Sequence, residues 1–300
     1  MTTPSIAPYV PNYAQYTPYI TAEEFLAAPT GVDVSQLIPS GSTMTQAAAL
    51  ADLIARASSQ ADTICRKVLA ATVDVVAGEY RIFRDQTLRV PIPYKPLVAV
   101  TGVSIGYSVK SLAALTDLSG LWPGEKVVRI PVAASPAVQF STQNPAARAR
   151  PGWMFAQVTY VNGWAHTVLA DDAEASAQAL APTVTAGFVP GLTFQIKDGT
   201  STETATVAAD YVYGAPTVPL AAPLQYAHAA GVTVSALPPA IKDAVIDLGK
   251  WLVKSRGSKA VVLGSVKGQA VEAKSQKTDP GGDEDYDKAE RTLLPFRRAR

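Results

Sequence analysis

The spacing of apolar positions in residues 239–256 predicts an amphipathic helix against which the other elements can be placed. Its apolar residues recur every three or four positions and form one stripe, consisting of Ile241, Ala244, Val245, Leu248 and Leu252. Pro239 suits the first turn, where its missing N–H costs nothing, and Gly257 is a suitable stop. Because only one face is apolar, this helix must pack against another surface.

Two further helices are predicted upstream. One begins at Thr43 and carries an apolar stripe of Leu50, Ile54, Ala57, Ala61, Ile64 and Val68. Its alanines permit a close approach, so its simplest partner is the helix from Pro239. The other is a short helix from Thr21 to about Ala27, because Thr21 and Glu24 have the spacing of a capping box.

Alternation with a period of two predicts β-strands between the two long helices. The strongest signal is at residues 153–161, which are rich in aromatic and β-branched side chains. Residues 166–236 then change in composition, with Lys197 as the only Lys or Arg. Apolar residues alternate before the turn at Asp198 and Gly199, and threonines alternate after it, which predicts a hairpin. We therefore expect an inserted small all-β module at 166–236.

The two ends of the chain differ from its middle. Residues 1–20 are rich in Pro and Tyr without an apolar period, and we interpret them as an N-terminal arm. Residues 257–300 are interpreted as a C-terminal arm with a short helix at 283–294 and a basic tail. The segments 21–165 and 237–256 then form the core of the protein.

Composition and charge narrow the function classes. The 300 residues are 48% apolar and 17% charged, which is typical of a folded chain. A net charge of +1 gives no overall attraction to nucleic acid or to a membrane. The charge-free stretch 211–241 contains several prolines and glycines, which argues against a membrane-spanning helix.

Candidate chemistry is sparse. His166 and His228 are the only histidines, and no acid or cysteine cluster has the spacing for a shared metal or catalytic site. Cys65, the only cysteine, is expected to be a buried small residue of a helix. Alternating aspartates from Asp283 resemble the opening of a calcium loop, but Lys288 replaces its turn glycine, which favours an acidic helix start. We therefore predict no catalytic, cofactor-binding or metal-binding residues, and no enzyme.

Six short motifs follow one another along the chain. They are TAEEF at 21–25, ASSQADTIC at 57–65, PLVAVTGV at 96–103, VTYVNGW at 158–164, LPPAIKDA at 237–244 and DYDKAERTLLPFRR at 285–298. In this order they resemble the head-to-tail adaptor (connector) proteins of long-tailed bacteriophages. The departures from the family's pattern are the arm before Thr21 and the module at 166–236.

The resemblance implies a fold and a function. The expected fold is α+β, a helical-bundle adaptor core with a β element, here with an inserted small all-β module. The expected function is that of a structural virion protein without cofactors, which forms a homo-oligomeric ring, usually a dodecamer, beneath the portal. Such a ring joins the DNA-filled capsid to the tail and extends the DNA channel.

The resemblance also implies partners and a location. The partners are further copies of the chain, the portal protein, the next neck or tail protein, and DNA that passes without sequence-specific binding; no membrane is involved. The location is the head–tail junction (neck) of the virion, after assembly in the host cytoplasm. The C-terminal segment reaches the portal, so the expected portal-binding residues are Tyr286, Leu293, Phe296, Arg297, Arg298 and Arg300. DNA phosphates are the competing target of the terminal arginines.

Two other classes of function stay open. The threonine-rich module at 166–236 suggests a carbohydrate-binding or decoration protein, which aromatic residues clustered on one exposed face of the module would favour. A hydrolase with a degenerate site would be favoured by a pocket that gathers His166 or His228 with an acid.

Overall fold

The computed structural model describes residues 17–35, 37–38, 43–124, 126–132, 152–255 and 283–297. Some sequence-based interpretations concern residues outside these ranges: positions 1–16 of the N-terminal arm, positions 257–282 of the C-terminal arm, and Arg298 and Arg300 of the basic tail. Among the described residues, the chain forms four β-sheets and four α-helices.

The four helices share one apolar core. They are α1 (Ala22–Ala27), α2 (Gln46–Cys65), α3 (Pro239–Ser255) and α4 (Asp283–Leu293). Leu248 of α3 is fully buried in the same cluster as Leu50 and Ile54 of α2, so the predicted pairing of these helices is confirmed. Gly249 permits α1 to lie against α3, because a Cβ there would lie 2.6 Å from Cε2 of Phe25.

The starts of the first two helices follow from their capping residues. Thr21 and Glu24 form the predicted capping box of α1, each side chain accepting a backbone N–H of the other residue. Helix α2 begins at Gln46 with Thr45 as its N-cap, because the Thr45 hydroxyl accepts a backbone N–H of the first turn. Thr43, which was predicted to open the helix, therefore lies two residues before the observed N-cap.

Seven strands between α2 and the module form two sheets. They are β1 (Thr72–Arg81), β2 (Thr87–Pro91), β3 (Leu97–Gly106), β4 (Ala113–Ala114), β5 (Trp122–Pro123), β6 (Val127–Pro131) and β7 (Trp153–Asn162). Their orders are β1–β7–β3–β4 and β2–β6–β5, and all paired strands are antiparallel. Val90 and Val128 of the second sheet share a core with Ile105 and Val158 of the first, so the sheets pack face to face.

The segment 166–236 also forms β-structure. Its strands are β8 (His166–Val168), β9 (Ala179–Leu180), β10 (Thr193–Lys197), β11 (Glu203–Thr206), β12 (Val218–Pro219) and β13 (Thr233–Ser235). They pair in the orders β11–β10–β13–β8 and β12–β9. The predicted hairpin is confirmed, with Thr193 opposite Thr206. Phe188 and Phe194 meet edge to face at 5.4 Å inside this segment's own apolar core.

The predicted helical-bundle core with a β element is wrong. The chain is mostly β-sheet with few helices. The physical reason is that the alternation in residues 72–162 yields three ten-residue strands, β1, β3 and β7, which pair extensively and bury a core of their own. The β-structure is thus the larger part of the fold, and the helices pack beside it. The domain boundaries given above stay a prediction.

The last residues assigned to the N-terminal arm lie in the helical core. Tyr19 and Ile20 are almost fully buried there. The Tyr19 hydroxyl donates to Asp62 at 2.5 Å, and the Tyr19 backbone N–H donates to the Ser58 hydroxyl at 3.0 Å. These bonds fix Tyr19 against α2.

Candidate functional site

A groove of about 670 Å³ lies where the turn after α4 faces the start of β3. We call it the basic groove, and it is lined by Lys67, Pro93, Lys95, Pro96, residues 97–100, Pro123, Gly124, Trp164, Pro295, Phe296 and Arg297. Its volume is in the range of ligand-binding sites. It brings together parts of three of the motifs that carry the resemblance, namely those at 96–103, 158–164 and 285–298.

Two backbone features place the side chains of the basic groove. Arg66 has a left-handed conformation (φ 55°) and ends α2, which turns the chain so that Lys67 enters the groove. Gly163 has φ +92°, and a Cβ there would lie 2.6 Å from the Ala70 carbonyl oxygen. A residue with a side chain therefore does not fit, and glycine lets the next residue, Trp164, reach the groove wall.

The basic groove carries positive charge without a matching acid. Its lining contains Lys67, Lys95 and Arg297 and no acidic side chain among the described residues. Lys67 Nζ donates to the Lys95 carbonyl and lies 5.4 Å from the centre of the Trp164 ring. Burial lowers the pKa of Lys67; nearby Cys65 and Asp62 oppose this shift, and the charge of Lys95 adds to it.

A second lobe continues the basic groove. It has a volume of about 410 Å³ and shares Pro123 and Gly124 with the first lobe. Lys126 and Arg129 line it together with Trp122, whose side chain is 58% exposed. Cationic and aromatic side chains thus follow one another across both lobes.

The residues expected to bind a portal protein are placed as follows. Leu293 is fully buried in the helical core, and the Tyr286 ring packs on that of Trp251 at 5.2 Å. Phe296 packs edge to face on Trp164 at 5.5 Å and lines the basic groove beside Arg297. Arg298 and Arg300 lie outside the described residues. The apolar face of α4 therefore packs on its own chain, whereas Phe296 and Arg297 remain on a surface.

Ion pairs hold α4 on α3. Asp285 pairs with Lys250 at 2.8 Å and also with Lys254, and Lys288 pairs with Asp247 at 2.9 Å. Burial alone would raise the pKa of Asp285, but the hydrogen bonds and charges of the two lysines outweigh it and hold this pKa below its usual value. We call these five residues the α3–α4 seam.

His166 joins the module to the N-terminal segment. Its Nε2 lies 2.9 Å from the Pro18 carbonyl oxygen and its Nδ1 lies 3.0 Å from the Ser235 hydroxyl. Since a carbonyl only accepts, Nε2 carries the proton and Nδ1 accepts from Ser235. Burial lowers the pKa of His166 to about 4, so the ring is neutral at pH 7. Both nitrogens are occupied, which leaves neither available for catalysis or metal binding.

His228 contacts two acids, which sequence spacing did not reveal. Its Nδ1 lies 3.0 Å from Asp198 and its Nε2 lies 2.7 Å from Glu203, and the side chain is fully buried. Glu203 also accepts the backbone N–H groups of Gln225 and Tyr226. The cluster ties the β10–β11 hairpin to the loop before β13. The hydrolase alternative requires a ring nitrogen that can meet a substrate, and both are engaged here.

The remaining candidate residues have structural surroundings. Cys65 is buried, as predicted, and burial raises its pKa to about 11, so its thiol stays protonated near neutral pH. Among the described residues, no group of three or more His, Cys, Asp or Glu is arranged to hold a metal ion. The described helices include none that is long and apolar enough to cross a membrane.

Sequence reasoning missed the basic groove and one further surface. Lys67, Lys95 and Trp164 are far apart in sequence. Only the cationic residues near the motifs at 96–103 and 158–164 could have suggested that they meet. The second surface is β1, an edge strand whose Val73 and Val75 are each 53% exposed. Comparison of the chain with protein-family models, with curated proteins and with solved structures gives no match.

Proposed function

We propose that this chain is a structural virion protein that forms a ring beneath the portal, joins the DNA-filled capsid to the tail and extends the DNA channel. The order of the six motifs suggests this role, and the proposal does not depend on the helical-bundle fold that the structure corrects. Its partners would be further copies of the chain, the portal and the next neck or tail protein. Its place would be the head–tail junction.

The observation that carries the proposal is the edge of β1, which pairs with no second strand among the described residues. This strand has ten residues, is paired with β7 on one side, and ends its sheet on the other. Its side chains alternate between half-buried and exposed, and the exposed set includes Val73, Val75 and Ala77. A long edge strand with an exposed apolar face is suited to contact with another protein.

A ring needs two different surfaces on each subunit. In a heterologous interface, one face of a subunit meets a different face of the next, and repetition closes the ring. The β1 edge is one such surface, and it is distinct from the basic groove, because β7 separates β1 from the β3 residues that line the groove. We assign the β1 edge to the contact between copies.

The test is electron microscopy of DNA-filled, tail-less heads incubated with purified protein. We expect a ring of this protein beneath the portal. The variant Val73→Lys/Val75→Lys should retain the wild-type melting temperature but form no ring, because the contact would bury two lysine charges against the neighbouring copy. Val109→Lys is the matched control, since Val109 is 64% exposed and lies away from β1. Density on the capsid surface instead of the neck would overturn the proposal.

The decoration alternative finds weaker support. Its criterion was a cluster of exposed aromatic residues on the module. Phe188, Phe194 and Tyr211 are buried, and Tyr226, at 46% exposure, is the most exposed aromatic residue of the described module. A single exposed tyrosine does not form a stacking platform, so the geometry favours the adaptor.

A further inference from the structure

Five cationic side chains line the two lobes of the basic groove. They are Lys67, Lys95, Lys126, Arg129 and Arg297, and neither lobe has an acidic side chain among its described lining residues. No ion pair joins any of the five to a carboxylate of the described residues. A surface with this much uncompensated charge is complementary to an anion.

The walls between these charges are apolar. Four prolines, Pro93, Pro96, Pro123 and Pro295, surround the first lobe together with Trp164 and Phe296. Proline carries no backbone N–H, so these four positions add apolar surface and no donor to the walls. A ligand that is complementary to this lining carries both carboxylates and apolar side chains. An acidic peptide segment has this combination.

The size and shape favour a peptide over nucleic acid. Lobes of about 670 and 410 Å³ can each hold side chains, whereas a rigid duplex needs a broad convex or concave face. Single-stranded DNA would need bases to stack on open aromatic faces. Trp164 is unsuited to this, because Lys67 lies over its ring and Phe296 packs against it. Trp122 of the second lobe is 58% exposed, but among the described lining residues it offers one open ring and not a series of stacking faces.

We propose that the basic groove binds a short acidic segment of a partner protein, with carboxylates at Lys95 and Arg297 and an apolar side chain between Pro96 and Phe296. The Arg297 guanidinium can bind one carboxylate through two hydrogen bonds. The inference rests on the proposed function only in that the partner is a protein. It requires neither a ring nor a portal.

The test measures fluorescence anisotropy of a labelled peptide, Ac-Asp-Leu-Glu-Phe-Asp, against the full chain. The neutral analogue, with Asn and Gln in place of the acids, should bind at least tenfold more weakly. Lys95→Glu/Arg297→Glu should weaken binding of the acidic peptide at least tenfold. The control Lys110→Glu/Arg84→Glu makes the same change in net charge at exposed positions outside the groove, and it should bind within twofold of wild type.

Several outcomes would overturn the proposal. One is equal loss of binding in the control, which would mean that only net charge matters. Another is tighter, groove-dependent binding of a labelled oligo(dT) or duplex than of the peptide, which would assign the groove to nucleic acid. If the double variant does not fold, Lys95→Gln/Arg297→Gln replaces it, with the same expected loss. Ring formation is scored separately with the β1 variants, so failure of one proposal is distinguishable from failure of the other.

Discussion

The α3–α4 seam and the basic groove are both rich in lysine, but the lysines of the seam are ion-paired and those of the groove are not, among the described residues. In the seam each of Lys250, Lys254 and Lys288 meets a carboxylate of the same chain. In the groove Lys67 donates to the Lys95 carbonyl and lies over the Trp164 ring, and no ion pair joins Lys67 or Lys95 to a carboxylate of the described residues. Paired charges in the seam fix one part of the fold against another, whereas unpaired charges in the groove remain available to a ligand.

This difference separates stability from binding. Buried or half-buried ion pairs become costly when one partner is removed, since the other charge stays behind. An uncompensated cation at a groove already disfavours the folded state, so its removal carries little penalty. Substitutions in the seam should therefore affect unfolding, and substitutions in the groove should affect association.

The largest effect is expected from Leu293→Asp in α4. Leu293 is fully buried in the helical core beside the seam, so the change places an unpaired carboxylate among apolar side chains. We expect the free energy of unfolding to fall by more than about 4 kcal/mol. Urea denaturation followed by circular dichroism measures it.

The matched control for that substitution is its neighbour. Leu294 is 49% exposed, and Leu294→Asp should change the free energy of unfolding by less than about 0.5 kcal/mol. Equal effects of the two substitutions would mean that α4 does not pack as described. We also expect a chain truncated after Gly282 not to fold, because the truncation would uncover the same core.

A smaller loss is expected from Asp285→Asn in the seam. The substitution leaves Lys250 and Lys254 without their partner, but both are about one-quarter exposed and can turn toward water. We therefore expect a loss of about 1–3 kcal/mol, below the full cost of a buried unpaired charge. Asp52→Asn, at the exposed pair with Arg56, should cost less than about 0.5 kcal/mol in the same denaturation experiment.

Acid should weaken the seam before it affects the groove. The pKa of Asp285 is lower in the folded chain than its ordinary value of 3.8, so the unfolded chain binds more protons as the pH falls. Its contribution is complete above the ordinary pKa and is lost as the pH falls through the folded pKa. Stability measured from pH 6 to pH 2 should decline less steeply in Asp285→Asn than in wild type. Parallel curves would show that the seam is not linked to this carboxyl.

Local elements were predictable because their causes are local. The capping box at Thr21 and Glu24, the hairpin around Asp198 and the helix from Pro239 each depend on residues within a few positions. Their types and approximate bounds follow from periodicity and turn chemistry. The burial of Leu248 is also predictable from the sequence, because Leu248 lies on the single apolar face of its helix and that face packs on the core.

The balance of the fold and the basic groove were not predictable in this way. Short alternating segments do not reveal that β1 and β7 pair over ten residues, and this pairing makes the fold mostly sheet. The groove joins Lys67, Trp164 and Arg297, which are separated by about a hundred residues each and meet only after the sheets and helices have packed. The acids around His228 were missed for the same reason.

Apart from the control substitutions, Lys67→Met has the smallest expected effect on stability and gives the sharpest contrast with the seam. Methionine is unbranched like lysine but one heavy atom shorter, and it removes the amine whose pKa is lowered by burial. The substitution removes the hydrogen bond to the Lys95 carbonyl and the contact with Trp164. This loss offsets the stability gained because a cation is no longer buried. We expect the free energy of unfolding at pH 7 to stay within about 1 kcal/mol of wild type.

The alkaline side gives this substitution a second readout. Because the pKa of Lys67 is lower in the folded chain, the unfolded chain holds more protons at any pH between the folded pKa and the ordinary value of 10.5. The contribution of Lys67 to stability therefore rises with pH over this interval. The difference in stability between wild type and Lys67→Met should therefore move in favour of wild type between pH 7 and pH 10. Raised pKa values of Tyr80, Tyr211 and Tyr213 affect both proteins alike and cancel in this difference. A loss of several kcal/mol at pH 7, as in the seam, would place Lys67 among the residues that hold the fold and remove it from the ligand site.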